Sequence, residues 1–305
     1  MGGVPPSTFW QVEKGYNQNA AKELSDLFGS KTFDTVKPTR LLKRILQIGS
    51  FDHSFIMDFF AGSGTTGHAV IDLNREDGGN RKYILVEQGR YFDSVMKRRI
   101  MKVVYSKDWK DGKPKSRDTG VSHMFKYMTL ESYEDALDNV SFGGDTKAPD
   151  LFEGDEYLLR YMLGFESRDS ETFLNARKLE SPFDYKLTVR RSDRDDGASH
   201  PTRVDLPETF AHLLGMCVYR RKVFHDGDRR YLAYRGETAE RDDVAVIWRE
   251  ARGWSGADYE RDRNFVAEKG MAEGARDVFV NGDSLIPDAR PIEPTFKKLM
   301  TAEGV

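Results

Sequence analysis

Phe55-Ile56-Met57-Asp58-Phe59-Phe60-Ala61-Gly62-Ser63-Gly64-Thr65-Thr66-Gly67-His68 is the stretch on which the reading of this chain turns. An apolar run, 55–60, reads as a short buried strand that runs straight into a glycine-rich turn. A helix is expected over 68–74, with Ala69, Val70 and Leu73 on one face, broken by Asp77-Gly78-Gly79-Asn80. Residues 83–87 read as a second buried strand. From Tyr91 to about Tyr105 a further helix turns Phe92, Val95, Met96, Ile100, Val103 and Val104 inward. Strand, helix, strand, helix with short links predicts a parallel α/β sheet. Upstream, Ala20, Leu24, Leu27 and Phe28 recur at helical spacing until Gly29. A second helix begins near Pro38, carries Leu41, Leu42, Ile45 and Leu46, and ends at Gly49.

Downstream the pattern changes. Residues 107–118 combine five basic residues with Gly112 and Pro114 and read as a flexible basic linker. The division is therefore placed there, with one domain over 1–118 and a mixed α+β domain over 119–305. In the second domain, helices are expected around 131–139, 153–163 and 207–216. Strands are expected at 185–190, 217–224, 230–234, 243–249 and 277–281, with a loop at 143–149. His225-Asp226-Gly227-Asp228 reads as a hairpin turn between two of these strands.

Composition bounds the possibilities. The chain has 305 residues and a net charge of -3, but the charge is uneven. Residues 1–120 hold 20 Lys+Arg against 14 Asp+Glu, and the remainder is acidic, so nucleic acid would meet the first part. Cys217 is the only cysteine, which rules out an internal disulfide and a cysteine zinc cluster; its apolar neighbours predict a core position. The six histidines show no metal-ligand spacing, and no metal is expected. No apolar run approaches the roughly 18 residues that would span a bilayer. The first residues lack the charged and apolar regions of a signal peptide, so a cytoplasmic protein without membrane contact is expected. Lys97, Arg98, Arg99 and Lys102 read as a solvated helix face, and His68 as an ordinary helix-face residue.

The glycine turn carries the chemistry. Gly62, Gly64 and Gly67 allow close approach of a ligand, and the helix that follows offers free N–H groups and a partial positive charge. Gly62-Ser63-Gly64-Thr65-Thr66-Gly67 satisfies G-x-G-x-x-G, and Glu87 follows Gly67 by 20 positions at the end of the next strand. Taken literally, this is also the dinucleotide fingerprint, so a nicotinamide-dependent oxidoreductase remains an alternative. No Lys follows the glycines, which excludes a Walker A loop. Asp58, just ahead of the loop, suits a cationic ligand such as an amino-acid ammonium and suits a pyrophosphate poorly. Thr65 and Thr66 offer hydroxyls to the helix start or to a carboxylate. Glu87 can accept from a ribose in either case. S-adenosylmethionine (AdoMet) fits this set better than a dinucleotide.

Asp58-Phe59-Phe60-Ala61-Gly62-Ser63-Gly64-Thr65-Thr66 resembles motif I of the DNA amino-methyltransferases, and 84–87 resembles their motif II. Residues 33–42, just upstream, resemble their motif X. Segments 17–24, 74–82, 130–135 and 208–215 narrow the likeness to the modification (Mod) subunits of type III restriction–modification systems. The resemblance implies a Rossmann-like AdoMet-binding sheet, present only in part, and an adenine-N6 DNA methyltransferase. It implies that Asp58 meets the methionine amino group and that Phe60, Ala61, Gly62, Ser63, Gly64, Thr65 and Thr66 line the cofactor. Glu87 would hold the ribose, and Lys37 and Pro38 would sit beside the methionine end.

The family's Asp-Pro-Pro-Tyr motif, which holds the flipped base, does not occur in this sequence, so no catalytic residue is assigned. In the permuted order of this class that motif and the target-recognition region precede motif X. The chain therefore reads as a carboxy-terminal portion, inactive alone. DNA, a homodimer mate or a complementing amino-terminal half, and a restriction (helicase–nuclease) subunit are the implied partners. The alternative is a non-catalytic module for dimerisation or partner docking.

Overall fold

In the computed structural model, residues 17–132, 135, 139, 174–191 and 197–301 are described. They belong to two units, Met1–Met128 and Thr129–Val305, where the sequence placed the division at 118/119. The expected helix at 153–163 and loop at 143–149 lie outside the described residues, as do most of 131–139 and residues 192–196.

The first unit contains α1 (Asn17–Phe28), α2 (Thr39–Gly49), β1 (Phe55–Asp58), α3 (Thr65–Asp77), β2 (Lys82–Leu85) and α4 (Lys97–Tyr105), the last led by a π-helical turn, Phe92–Met96. β1 and β2 run parallel, with Phe55 opposite Lys82 and Asp58 opposite Leu85. They are joined by α3, the connection a parallel pair requires. α3 lies at the centre. Ile71 packs with Ala20, Leu24 and Leu27 of α1 and Ile100 and Val103 of α4. Ala69, Val70 and Leu73 pack with Leu46 of α2 and Ile56.

Two expectations for this unit are corrected. The strands are buried on one face only: Phe55 is 71% exposed, Met57 50%, Ile84 47% and Val86 42%. Side chains alternate along a strand, so α3 covers Ile56, Tyr83 and Leu85 while the other row faces outward. A parallel sheet is ordinarily covered on both faces; among the described residues nothing in this unit covers the second. The run 107–118 is not a loose linker. Trp109–Lys110 (β3) and Lys113–Pro114 (β4) pair antiparallel around Asp111 and Gly112, both at positive φ. Asp-Gly is the residue pair that such a tight turn favours. The hairpin is docked: Gly112 N donates to Asp26 O at 2.9 Å, and Trp109 Nε1 to Ser106 O at 3.0 Å.

The second unit contains a small antiparallel pair, β5 (Lys186–Arg190) and β6 (Ser199–Arg203), then α5 (Leu206–Leu213) and β7 (Cys217–Asp226). There follow β8 (Arg229–Glu237), β9 (Val244–Arg249), α6 (Gly256–Glu268), β10 (Asp277–Val280), β11 (Ala289–Pro291) and α7 (Ile292–Thr301). Five strands form one mixed sheet in the order β11-β10-β9-β8-β7, with β9, β10 and β11 parallel and the other pairs antiparallel. Alternation divides the core. Leu232, Tyr234, Val244, Val246, Trp248 and Phe279 meet Phe210 of α5 and Phe296 of α7 on one face. Tyr231, Ala233, Ala245, Ile247, Val278 and Val280 meet Val266 of α6 on the other. The expected hairpin turn at 225–228 joins β7 to β8. Cys217 is exposed rather than buried, because at the start of edge strand β7 it faces away from the core while Met216 beside it is buried. β6, α6, β11 and α7 carry no expectation from the sequence.

A fully buried pair pins this sheet. Arg249 Nη1 donates to Asp262 of α6, and its other arm donates to the backbone carbonyls of Asn281 and Asp283. Burial pushes the Asp262 carboxyl up against the opposing pull of Arg249. Asp262→Ala strands the guanidinium, and urea denaturation should show a loss of about 3–5 kcal/mol in the second unit; a loss under 1 kcal/mol would remove this pair from the account of the fold.

Candidate cofactor site

The carboxyl ends of β1 and β2 lie side by side, where open α/β sheets place their ligands. Val86 N donates to Asp58 O at 2.9 Å and Ala61 N returns to Val86 O at 3.1 Å, so the loop folds across both strand ends. Two carboxylates brace it. Asp58 Oδ1 accepts from Phe60 N at 3.1 Å and Oδ2 from Thr66 Oγ1 at 2.5 Å. Glu87 Oε2 accepts from Gly62 N at 2.7 Å and Oε1 from Gly89 N at 2.7 Å. Burial alone would raise the Glu87 carboxyl. The Gly89 and Gly62 amides and the Tyr91 hydroxyl overcome this and hold it below the usual carboxylate range. Gly64 precedes α3 at φ +80°, and an added Cβ would stand 2.8 Å from Met96 Cγ. Phe60, whose backbone N donates to Asp58, is 91% exposed.

The segment before α2 belongs to the same place. The Phe33 ring lies over Gly62 and edge-on to Tyr91, with ring centroids 4.8 Å apart. Pro38 is buried ahead of α2, Lys37 is exposed, and buried Thr39 shares a partner with Thr65. The structure thus brings residues 33–39 beside the glycine loop, about 25 residues away in sequence. Glu87 and Asp58 lie on either side of it.

Residues 1–98 match the family model described as DNA methylase. That match lies within the first unit and includes the glycine loop and both flanking strands. The chain is 49% identical over 83 residues to the type III restriction–modification enzyme StyLTI Mod subunit of Salmonella typhimurium, covering 27% of this chain and 13% of that protein. It is 45% identical over 80 residues to the type II methyltransferase M.KpnI of Klebsiella pneumoniae, 26% of this chain and 19% of that one. The EcoPI Mod subunit of Escherichia phage P1 is 39% identical over 91 residues, 29% and 14% of the two chains. The chain therefore matches under a fifth of each of these relatives' length. A DNA methylase uses a methyl donor, and the described residues contain no helix long and apolar enough to cross a membrane.

Beneath the glycine loop lies a residue that the sequence hides in a basic run. Arg99, expected on a solvated face, is fully buried. It sits four residues after Val95 and four before Val103, on the stripe that α4 turns inward, and that spacing was the available signal. Its Nη1 donates to Ser63 Oγ and Thr65 Oγ1, both at 2.9 Å; Nη2 donates to Thr39 Oγ1 at 3.2 Å and to Glu23 Oε1 at 3.4 Å. Nε reaches His68 Nδ1 at 3.3 Å. Glu23 Oε1 lies 3.2 Å from the same nitrogen, and His68 Nε2 faces Asp72 Oδ2 at 3.3 Å. Burial pulls Arg99 down to about 10 against the fields of Glu23 and Asp72, which leaves it a cation at neutral pH. His68, read as an ordinary face residue, is likewise buried in this cluster.

Two outcomes follow. Gly64→Ala puts an L residue at φ +80° against Met96, and should cost the first unit about 1–3 kcal/mol, read as a lowered Tm; an unchanged Tm would show the loop to be more pliable than this geometry. Glu87 has a folded-state pKa below its ordinary value of 4.5. Its contribution is therefore complete above that value and is lost as pH falls through the folded pKa. The Tm gap between wild type and Glu87→Gln should close between about pH 5 and pH 3, and a gap that stays constant would show that the carboxylate does not brace the loop.

Proposed function

We propose that the methylase unit binds AdoMet and forms part of a site-specific adenine-N6 DNA methyltransferase of a restriction–modification system. The observation that carries this reading is the pairing of Asp58 and Glu87 at the ends of adjacent parallel strands, on either side of a glycine loop that opens helix α3. The group fits the residues present. α3 has no acidic residue in its first turn, so its positive end is free to meet a carboxylate. Asp58 offers a counter-charge to an ammonium, and Glu87 can accept from ribose hydroxyls beyond the amides it already holds. Phe60 presents a bare ring, and Ala61, Gly62, Ser63, Gly64, Thr65 and Thr66 form the wall between. Lys37 and Pro38 stand on the opposite wall. AdoMet, when bound, supplies an activated methyl group; the residues here orient it, and that placement supplies much of the acceleration.

Adenine as the target rests on the likeness to the Mod subunits. The strands β1 and β2 with α3 are the beginning of a Rossmann-like sheet. The bare row Phe55, Met57, Ile84 and Val86, and the missing Asp-Pro-Pro-Tyr, both favour completion by a complementing segment that carries the catalytic motif. The second unit would then serve dimerisation or docking of a restriction subunit, in the cytoplasm where DNA is modified. DNA meets the assembled enzyme.

The test is photochemical cross-linking of tritiated AdoMet, which captures even weak occupancy. Label should enter the peptide around 58–66, be competed by S-adenosylhomocysteine, and fall about 10- to 100-fold in Asp58→Ala, the size of one charge-assisted hydrogen bond. No label should pass to DNA from this chain alone. Competition by NADH instead would assign the loop to a dinucleotide, and transfer to DNA would refute the need for a complementing segment.

A further inference from the structure

The two walls of the proposed site come from separate parts of the chain, and something must fix the distance between them. One wall is the loop ending in Ser63, Gly64 and Thr65. The other is the Lys37-Pro38-Thr39 segment. Among the described residues, Arg99 hydrogen-bonds both: Nη1 donates to Ser63 and Thr65, and Nη2 to Thr39. Glu23 of α1 also accepts from Thr39 and from Arg99, so it closes the hub on the Thr39 side. His68 and Asp72, from the first two turns of α3, complete it through Arg99 Nε. Arg75 in turn holds Asp72 at 2.6 Å, with its other arm on Val103 O of α4 at 2.8 Å.

We propose that Arg99 is a positioning residue that sets the spacing between the glycine loop and the Lys37–Thr39 segment, and so tunes the affinity of the methyl-donor site. The inference rests on the AdoMet reading of that loop only for its second half; the spacing itself is a matter of geometry. A guanidinium suits the task because its planar fork sends hydrogen bonds in several fixed directions at once. A lysine ammonium at the same place keeps the charge and loses the fork. The cation touches no ligand: it lies under the loop, fully buried, and acts through the hydroxyls it holds.

The experiment combines hydrogen–deuterium exchange with the cross-linking assay on the full chain. Arg99→Lys should speed exchange about tenfold or more in two peptides together, those around 33–40 and 59–68, the scale of a lost hydrogen bond from a charged donor. Ser63→Ala with Thr65→Val leaves Arg99 its bonds to Glu23, Thr39 and His68, and should loosen only the loop. This pair also covers the case in which Arg99→Lys fails to fold. Val103→Ala, a core truncation in the same helix, keeps the backbone carbonyl that Arg75 uses; it lowers the Tm and should leave both peptides as protected as in wild type at low temperature. AdoMet labelling should fall in step with loop exchange across the series. Unchanged exchange at both walls in Arg99→Lys overturns the proposal. So does loosened exchange with undiminished labelling. A wild type that is not labelled by AdoMet, while the exchange pattern holds, overturns the cofactor reading and supports the positioning role.

Discussion

The fully buried guanidinium of Arg99 organises the first unit. Arg99 cannot shed its charge at neutral pH, so every polar atom around it must be arranged to accept from it. Glu23, Thr39, Ser63, Thr65 and His68 are those atoms, and they come from α1, α2, the glycine loop and α3. The apolar clusters on either side of α3 give the unit its cohesion, but they would tolerate small slides of one helix against another. The guanidinium fork does not. It converts a packed set of helices into one with a defined register at the loop. Loop curvature, carboxylate placement and helix start follow from that register.

The second unit solves a similar problem differently. Its sheet is covered on both faces, and strand β9 is buried along its whole length. The charged pair Arg249–Asp262 ties the end of β9 to α6 and to the backbone after β10. Here the burial of large aromatic side chains sets the fold, and the ion pair fixes how the crossover helix lies on it. The contrast with the first unit is in the sheet: five strands with two covered faces in one, two strands with a single covered face in the other.

Much of the first unit was legible because its signals are local. Asp58, the glycines and Glu87 announce strand, turn and strand by spacing alone, and Gly29 and the Asp77-Gly78-Gly79-Asn80 break mark helix ends. Burial was less legible. Phe55, Met57, Ile84 and Val86 read as core because they are apolar, yet what covers them is decided by the rest of the sheet and not by their own neighbours. Arg99 failed in the opposite sense: a charge among charges reads as surface, and only its position between Val95 and Val103 betrays the inward direction. Cys217 was misread from flanking residues, since alternation at an edge strand reverses the environment at each step. The hairpin at 109–114 was missed because Lys-rich composition outweighed the Asp111-Gly112 turn signal. α6 and α7 escaped notice for want of a marked helical apolar stripe in a polar stretch.

The bare row on the β1–β2 sheet has a consequence for the life of the protein in a cell. Apolar side chains and unpaired strand edges are what chaperones and proteases survey, so the time a copy survives depends on how soon that face is covered. On the reading proposed here, the cover also brings the residues that touch DNA. Folding surveillance and enzymatic competence would then share one trigger. A copy whose row stays bare would be cleared early, whether the cover comes from the same polypeptide or from another.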